Sequence, residues 1–225
     1  MGRHGTAEAA FEGLTTAISF MKIISAEYLT SVAASSDKKT GDLPEVCFIG
    51  RSNVGKSSLI NRLAMQKIAR TSSMPGATRT INLYKIQYEF SGSRERVIFS
   101  DFPGFGYSRV SKETYRGWET MIDRYIEENK FIRHLVWAFD IRRDFDVLDE
   151  TVLEWIGLKG LPYSLVLTKS DKEGRGYSTR KKALLGRHLH TDAIFVFSAK
   201  DGTGRKELLT HILAQLNGEA PHTPA

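Results

Sequence analysis

Gly50-Arg51-Ser52-Asn53-Val54-Gly55-Lys56-Ser57 is the stretch whose reading decides the fold of this chain. It carries the spacing G-x-x-x-x-G-K-[ST] of a phosphate-binding loop. Glycines let backbone N–H groups converge on phosphate oxygens. Lys56 reaches the β- and γ-phosphates, and Ser57 offers a hydroxyl to Mg²⁺. The N-terminus of a helix behind the loop adds partial positive charge. A chance glycine turn would show the same letters without the required context of strand before and helix after. That context is present: Val46 to Ile49 reads as a short buried strand, and Ser58 to Gln66 as the helix.

Outward from the loop, Lys67 to Arg79 is a connection with Ser, Pro and Gly. Ile81 to Phe90 places Tyr84, Ile86, Tyr88 and Phe90 on one face, the mark of a half-buried strand. Gly92 marks a hairpin turn and Arg96 to Ser100 the returning strand. Leu135 to Phe139, Tyr163 to Leu167 and Ala193 to Phe197 read as further strands. Lys112 to Asn129, Leu148 to Leu158, Thr179 to His190 and Arg205 to Leu216 carry helical periodicity. This alternation predicts an α/β fold, a three-layer sandwich of the P-loop NTPase type. Its sheet is expected to be mostly parallel and six-stranded, with one antiparallel edge strand from the Ile81–Asp101 hairpin. Thr15 to Met21 reads as a strand or helix turn, and Ala26 to Ala34 mixes helix formers with Ser and Thr. Residues 1–42 are therefore expected to be an N-terminal extension and linker, 43–216 the binding domain, and 217–225 a fraying tail.

Composition narrows the class. The chain has 225 residues, 41% of them hydrophobic, enough for one folded α/β domain. One cysteine, Cys47, excludes a disulfide framework. No apolar run approaches the roughly 18 residues of a membrane span, and Met1 to Ala10 lacks the pattern of a signal peptide. A soluble, cytoplasmic, monomeric protein is the expectation. Lys plus Arg number 32 against 26 Asp plus Glu, a net charge of +6 that leans toward a polyanionic partner without requiring one.

Four further motifs fall on loops that the chemistry of a nucleotide would use. Asp101-Phe102-Pro103-Gly104 follows a strand, where an aspartate can hold Mg²⁺ through water and the Gly104 N–H can touch a γ-phosphate. A plain capped turn is the alternative, disfavoured beside a phosphate loop. Thr168-Lys169-Ser170-Asp171 offers a carboxylate that can accept hydrogen bonds from guanine N1 and N2, donors that adenine lacks; an exposed charged turn is the alternative. Ser198-Ala199-Lys200 follows the last strand, which ends at Phe197, and Phe197 to Ala199 could meet the guanine oxygen through backbone N–H groups, a weak signal alone. Thr78, after Pro75-Gly76-Ala77, could complete Mg²⁺ coordination and order its loop in the triphosphate state; an ordinary flexible loop is the alternative.

Together these motifs resemble the GTPase superfamily, and their spelling resembles the bacterial ribosome-biogenesis GTP-binding proteins of the EngB/YihA/YsxC type, TRAFAC-class GTPases. The likeness lies in Leu43-Pro44-Glu45, Gly50 to Arg62, Ala69 to Ser73, Pro75-Gly76, Thr78, Asn82, Asp101 to Ser108 and Thr168 to Asp171. It implies a GTPase, hydrolysing GTP to GDP and phosphate, with Mg²⁺ held by Ser57, Thr78 and Asp101. It implies that Lys56, Thr78 and Gly104 serve hydrolysis and that Lys169 and Asp171 select guanine. It further implies GTP-dependent binding to the pre-50S ribosomal subunit and its rRNA, with links to the cell cycle and septation. Phe105 stands where Ras-like GTPases place a water-orienting glutamine, so intrinsic hydrolysis should be slow. Asn53 implies a K⁺ ion near the loop, although a purely structural asparagine fits equally. The sequence departs from the family in Phe102, in the absence of a proline between Asp140 and Asp146, and in Ala199.

Basic side chains gather at Arg133 with His134, at Arg142 with Arg143, and from Arg175 through Lys182 to Arg187. Each could meet rRNA phosphates or form a solvated face balanced by Asp144 and Glu173. Phe105, Tyr107 and Tyr177 could stack on bases. A GTPase switch acting on a protein partner in signalling or cell-cycle control is the rival, and the absence of a lipidation signal argues against it. A nucleotide kinase would leave Thr168 to Asp171 unexplained.

Overall fold

The computed structural model describes residues 21–32, 41–71, 80–90, 92–106 and 112–216, the last range with side chains from residue 120 onward. Among them the chain forms seven strands: β1 (Lys22–Val32), β2 (Glu45–Gly50), β3 (Ile81–Phe90), β4 (Ser93–Asp101), β5 (Ile132–Asp140), β6 (Tyr163–Thr168) and β7 (Ile194–Val196). Five helices accompany them: α1 (Lys56–Ala64), α2 (Lys112–Glu127), α3 (Val147–Lys159), α4 (Arg175–Leu189) and α5 (Arg205–Leu216). No helix of the described residues is long and apolar enough to cross a membrane.

The strands form one sheet in the order β1-β3-β4-β2-β5-β6-β7. From β4 to β7 all pairings are parallel. β3 runs antiparallel to both β4 and β1. The expectation of six strands with an antiparallel edge is thus corrected: among the described residues the sheet has seven strands, the single antiparallel one lies one place in, and β1 forms the edge. β1 escaped detection for a physical reason. Its register with β3 slips between Ile23 and Ser25 and again between Tyr28 and Thr30, and each irregularity resets the period-two alternation by which a strand is read. Only Ala26 and Val32 of β1 are buried.

Two apolar layers flank the sheet. On one face Leu59, Ile60 and Leu63 of α1 and Leu208, Leu209, Ile212 and Leu213 of α5 pack on Val46, Phe48, Val136 and Val166. On the other, Tyr125 of α2, Ile156 of α3 and Leu185 of α4 pack on Cys47, Ile49, Trp137 and Leu165. The nearly continuous burial of β2, β5 and β6 is that of central parallel strands covered on both sides. Such a sheet directs the carboxyl ends of its parallel strands to one edge, where ligands bind. Gly50, Asp101, Asp140 and Thr168 all end strands there.

Candidate nucleotide site

β2 runs straight into the loop 50–57. Gly50 has φ +148°, and a Cβ there would meet the Ala138 carbonyl oxygen at 2.5 Å, so glycine is required for the chain to leave the sheet. Gly55 has φ +106° and caps α1, while Asn53 holds a left-handed φ of +61° without being glycine. The loop is braced from β6: Thr168 Oγ1 donates to the Val54 carbonyl at 2.7 Å and to the Phe139 carbonyl at 3.1 Å. Lys169 Nζ donates to the Asn53 carbonyl at 2.7 Å and pairs with Asp140 at 3.0 Å.

Lys56 and Asp101 lie almost wholly buried at the centre. Lys56 Nζ donates to the Gly50 carbonyl at 3.3 Å. Ser57 Oγ donates to Asp101 Oδ2 at 2.9 Å, and Asp101 Oδ1 is buried with no hydrogen-bond partner among the described residues. Burial pushes the Lys56 ammonium down, with Asp101 opposing; burial pushes the Asp101 carboxyl up, with Lys56 and the Ser57 hydroxyl opposing. For each group burial disfavours the charged form.

The segment after Asp101 lies against the loop. Ser52 N–H donates to the Phe105 carbonyl at 2.9 Å, Phe105 N–H to the Gly50 carbonyl at 3.3 Å, and Ser52 Oγ to the Gly104 carbonyl at 3.1 Å. A Cβ on Gly104 would lie 2.7 Å from Ser52 Cα, so only glycine allows this approach. Phe102 and Phe105 are buried. Phe105 is therefore unable to stack on a base as it lies here, because its ring packs inside the fold.

On the far side, Lys169 is held in the left-handed region at φ +60°, and Ser170 N–H donates to the Phe197 carbonyl at 3.1 Å. Ser198 Oγ donates to Asp171 Oδ1 at 3.2 Å, fixing that carboxylate. Asp140 was missed as a site residue. Burial raises its carboxyl, but Arg142 and Lys169 outweigh this and hold it below the usual range. Its signal was available: like Asp101, it is an acid at the carboxyl end of a parallel strand. Pro75, Gly76, Ala77, Thr78 and Tyr107 lie outside the described residues.

The basic clusters separate sharply. His134 is buried, shares a 2.8 Å hydrogen bond with Ser164 Oγ, and is pushed down to about 3 by burial and by His211. It is neutral and offers no surface charge, a correction to its grouping with Arg133. Arg142 pairs with Asp140 at 2.6 Å, Arg143 with Asp146 at 2.8 Å and buried Lys181 with Asp144 at 2.9 Å. Arg175, Arg180, Lys182 and Arg187 are exposed along α4.

Residues 45–169 match the family described as 50S ribosome-binding GTPase. A probable GTP-binding protein EngB from Syntrophus aciditrophicus is 41% identical over 202 residues, covering 89% of this chain and 99% of that protein. The crystal structure of a probable GTP-binding protein engB superposes with a TM-score of 0.59 at 26% identity, over 77% of this chain and 99% of that one. Era in complex with MgGDPNP and a 16S ribosomal RNA segment shares the fold, with a TM-score of 0.65 at 24% identity, over 81% of this chain and 59% of that one.

Proposed function

This chain belongs to the EngB family of GTP-binding proteins and is a GTPase, and from that premise we propose that it is a slow Mg²⁺-dependent switch that engages the pre-50S ribosomal subunit in its GTP state. The observation that carries the reading is the convergence of loop 50–57, Asp101 to Gly104, Lys169 with Asp171, and Ser198 at one edge of the sheet. Ser57 and Asp101 suit a hard divalent cation. The orphaned Asp101 Oδ1 and the raised carboxyl call for a positive charge that no described side chain besides Lys56 supplies. When bound, Mg²⁺ would neutralise charge on the phosphate oxygens. Thr78 is its third proposed ligand, and the loop 75–78 with Phe197 to Ala199 completes the proposed nucleotide contacts.

The chain's own groups divide the work. Backbone N–H groups of residues 53–58 hold the phosphates, Lys56 balances their charge, and Gly104 N–H meets the γ-phosphate. Asp171, oriented by Ser198, accepts from guanine. No hydrogen-bonding side chain at position 105 orients water, which supports slow intrinsic turnover; K⁺ near Asn53 is the proposed aid. The exposed Arg180, Lys182 and Arg187 of α4, which form no ion pair among the described residues, support a polyanionic partner. Co-sedimentation with 50S subunits and their precursors tests the partner. Binding with a non-hydrolysable GTP analogue and not with GDP is expected. Absence of binding in both states, with guanine nucleotide still bound, rejects the ribosomal role. Faster hydrolysis in K⁺ than in Na⁺ is expected if Asn53 holds the ion.

A further inference from the structure

Arg51 stands second in the phosphate loop, yet its guanidinium is spent elsewhere. Nε donates to Asp149 Oδ1 at 3.1 Å, and Nη2 pairs with Asp146 Oδ1. Both acids open α3. Asp146 is its N-cap, accepting from the Leu148 and Asp149 N–H groups, while Asp149 Oδ2 accepts from the Asp146 N–H in return. Asp149 is fully buried, and Arg143 adds a second guanidinium at 3.5 Å. Burial raises the Asp149 carboxyl, with Arg51 opposing that rise. The capping box therefore fixes two carboxylates, and these fix the arginine.

The arginine in turn touches the segment after Gly104. Residue 51 bridges Phe105 as an isolated strand pair. Gly106 has φ +74°, and a Cβ there would stand 3.6 Å from Arg51 Cγ and Cδ and 3.1 Å from Leu148 Cδ2. The arginine stem thus runs close beside Gly106, which leaves no room there for a larger residue. By contrast, residues 53–57 are held without its side chain, through Thr168, Lys169, the Arg51 backbone carbonyl and the first turn of α1.

We propose that Arg51 is a positioning residue: anchored by Asp149, it holds Gly104 to Gly106 in register against the phosphate loop and thereby sets the rate of GTP hydrolysis, while GDP retention depends on residues it does not support. The inference rests on the nucleotide site proposed above. A displacement of about 1 Å near reacting groups can cost about a hundredfold in rate. The half of the loop that cradles a diphosphate keeps its own braces.

The test uses the full chain with Arg51→Ala, Asp149→Asn and the double variant. Three quantities are read: single-turnover GTP hydrolysis at saturating nucleotide with Mg²⁺, GDP affinity, and thermal unfolding with GDP bound. Each single variant should hydrolyse about tenfold more slowly or worse, with GDP affinity within about threefold of the parent. The double variant should be no slower than the slower single, because one interaction has been removed twice. Arg51→Lys, which keeps the charge and loses the fork, should recover part of the rate. If Arg51→Ala fails to fold, Asp149→Asn and Arg51→Lys carry the comparison. Unchanged hydrolysis overturns the proposal, as does loss of GDP affinity in step with the rate. A parent protein that binds no guanine nucleotide would overturn the site reading itself.

Discussion

At the scale of single residues, the guanine contact makes the sharpest claim. A carboxylate at 171 presents only acceptors, and guanine N1 and N2 present only donors. Ser198 donates to Asp171 Oδ1 and holds it in place. Asp171→Asn substitutes a donor for one acceptor and leaves a guanine N–H facing an amide N–H. Guanine nucleotide affinity should fall by about a hundredfold or more. Xanthine, with an acceptor oxygen in place of the N2 amino group, should gain, and competition binding with GDP and XDP reads both effects. Equal losses for the two bases would place the base elsewhere. Most such residues were legible in the sequence because phosphate and base chemistry dictates short local patterns. Arg51 and Asp149 were not legible as a pair. They are 98 residues apart, and only the packing of α3 beside β2's loop brings a charge to its counter-charge.

At the scale of elements, two buried polar clusters fasten helices to the sheet. Glu45 at the start of β2 is fully buried. It accepts from Ser100 Oγ at 2.5 Å, Tyr125 Oη at 2.6 Å and Asn129 Nδ2 at 2.9 Å. It thus ties β4 and the C-terminal end of α2 to β2. Glu45→Ala leaves three buried donors without this acceptor and should destabilise the fold by about 2–4 kcal/mol. Glu45→Gln keeps the shape but turns a donor toward Asn129 or its neighbours, and should cost about half that. Urea midpoints at constant slope measure both. The second cluster joins β5 to α5, where His134 and His211 lie with ring centroids 5.5 Å apart. His134 is pushed down to about 3 from an ordinary value near 6.5, and burial lowers His211 as well. Between those values the unfolded chain binds more protons than the folded one, so stability falls as pH falls. From pH 7.5 to 5.5 the His134 contribution should fall by about 1 kcal/mol. His134→Asn should flatten that slope whatever it does to absolute stability, and an unchanged slope would assign the pH dependence to other groups. Element type was legible wherever one face of a helix or strand was continuously apolar, as in α5 and β3. It was not legible in β1, where exposure and two register slips leave no period to read.

At the scale of the whole molecule, net charge alone says less about a partner than where charge is left unpaired. The excess of six positive charges is an average over groups with opposite fates. Arg51, Arg142, Arg143, Lys169 and Lys181 pair with carboxylates of the chain itself, and a cation so paired is less able to displace the counterions of a polyanion. Arg180, Lys182 and Arg187 stand exposed on α4, on the face of the sheet opposite α1 and α5. A phosphate backbone bound there would displace its own condensed cations, and affinity would fall steeply with salt. The logarithm of 50S affinity in the GTP-analogue state should fall linearly with the logarithm of KCl concentration. Replacing these three side chains with alanine should make the slope shallower by about 2 to 3 units, at little cost to stability because exposed charges contribute little. Hydrolysis by the free protein should not change. An unchanged slope with weakened binding would mean that α4 touches protein or acts through shape. An unchanged slope with unchanged binding would move the contact to another basic surface. Only the shallower slope identifies α4 as the face that lies on RNA.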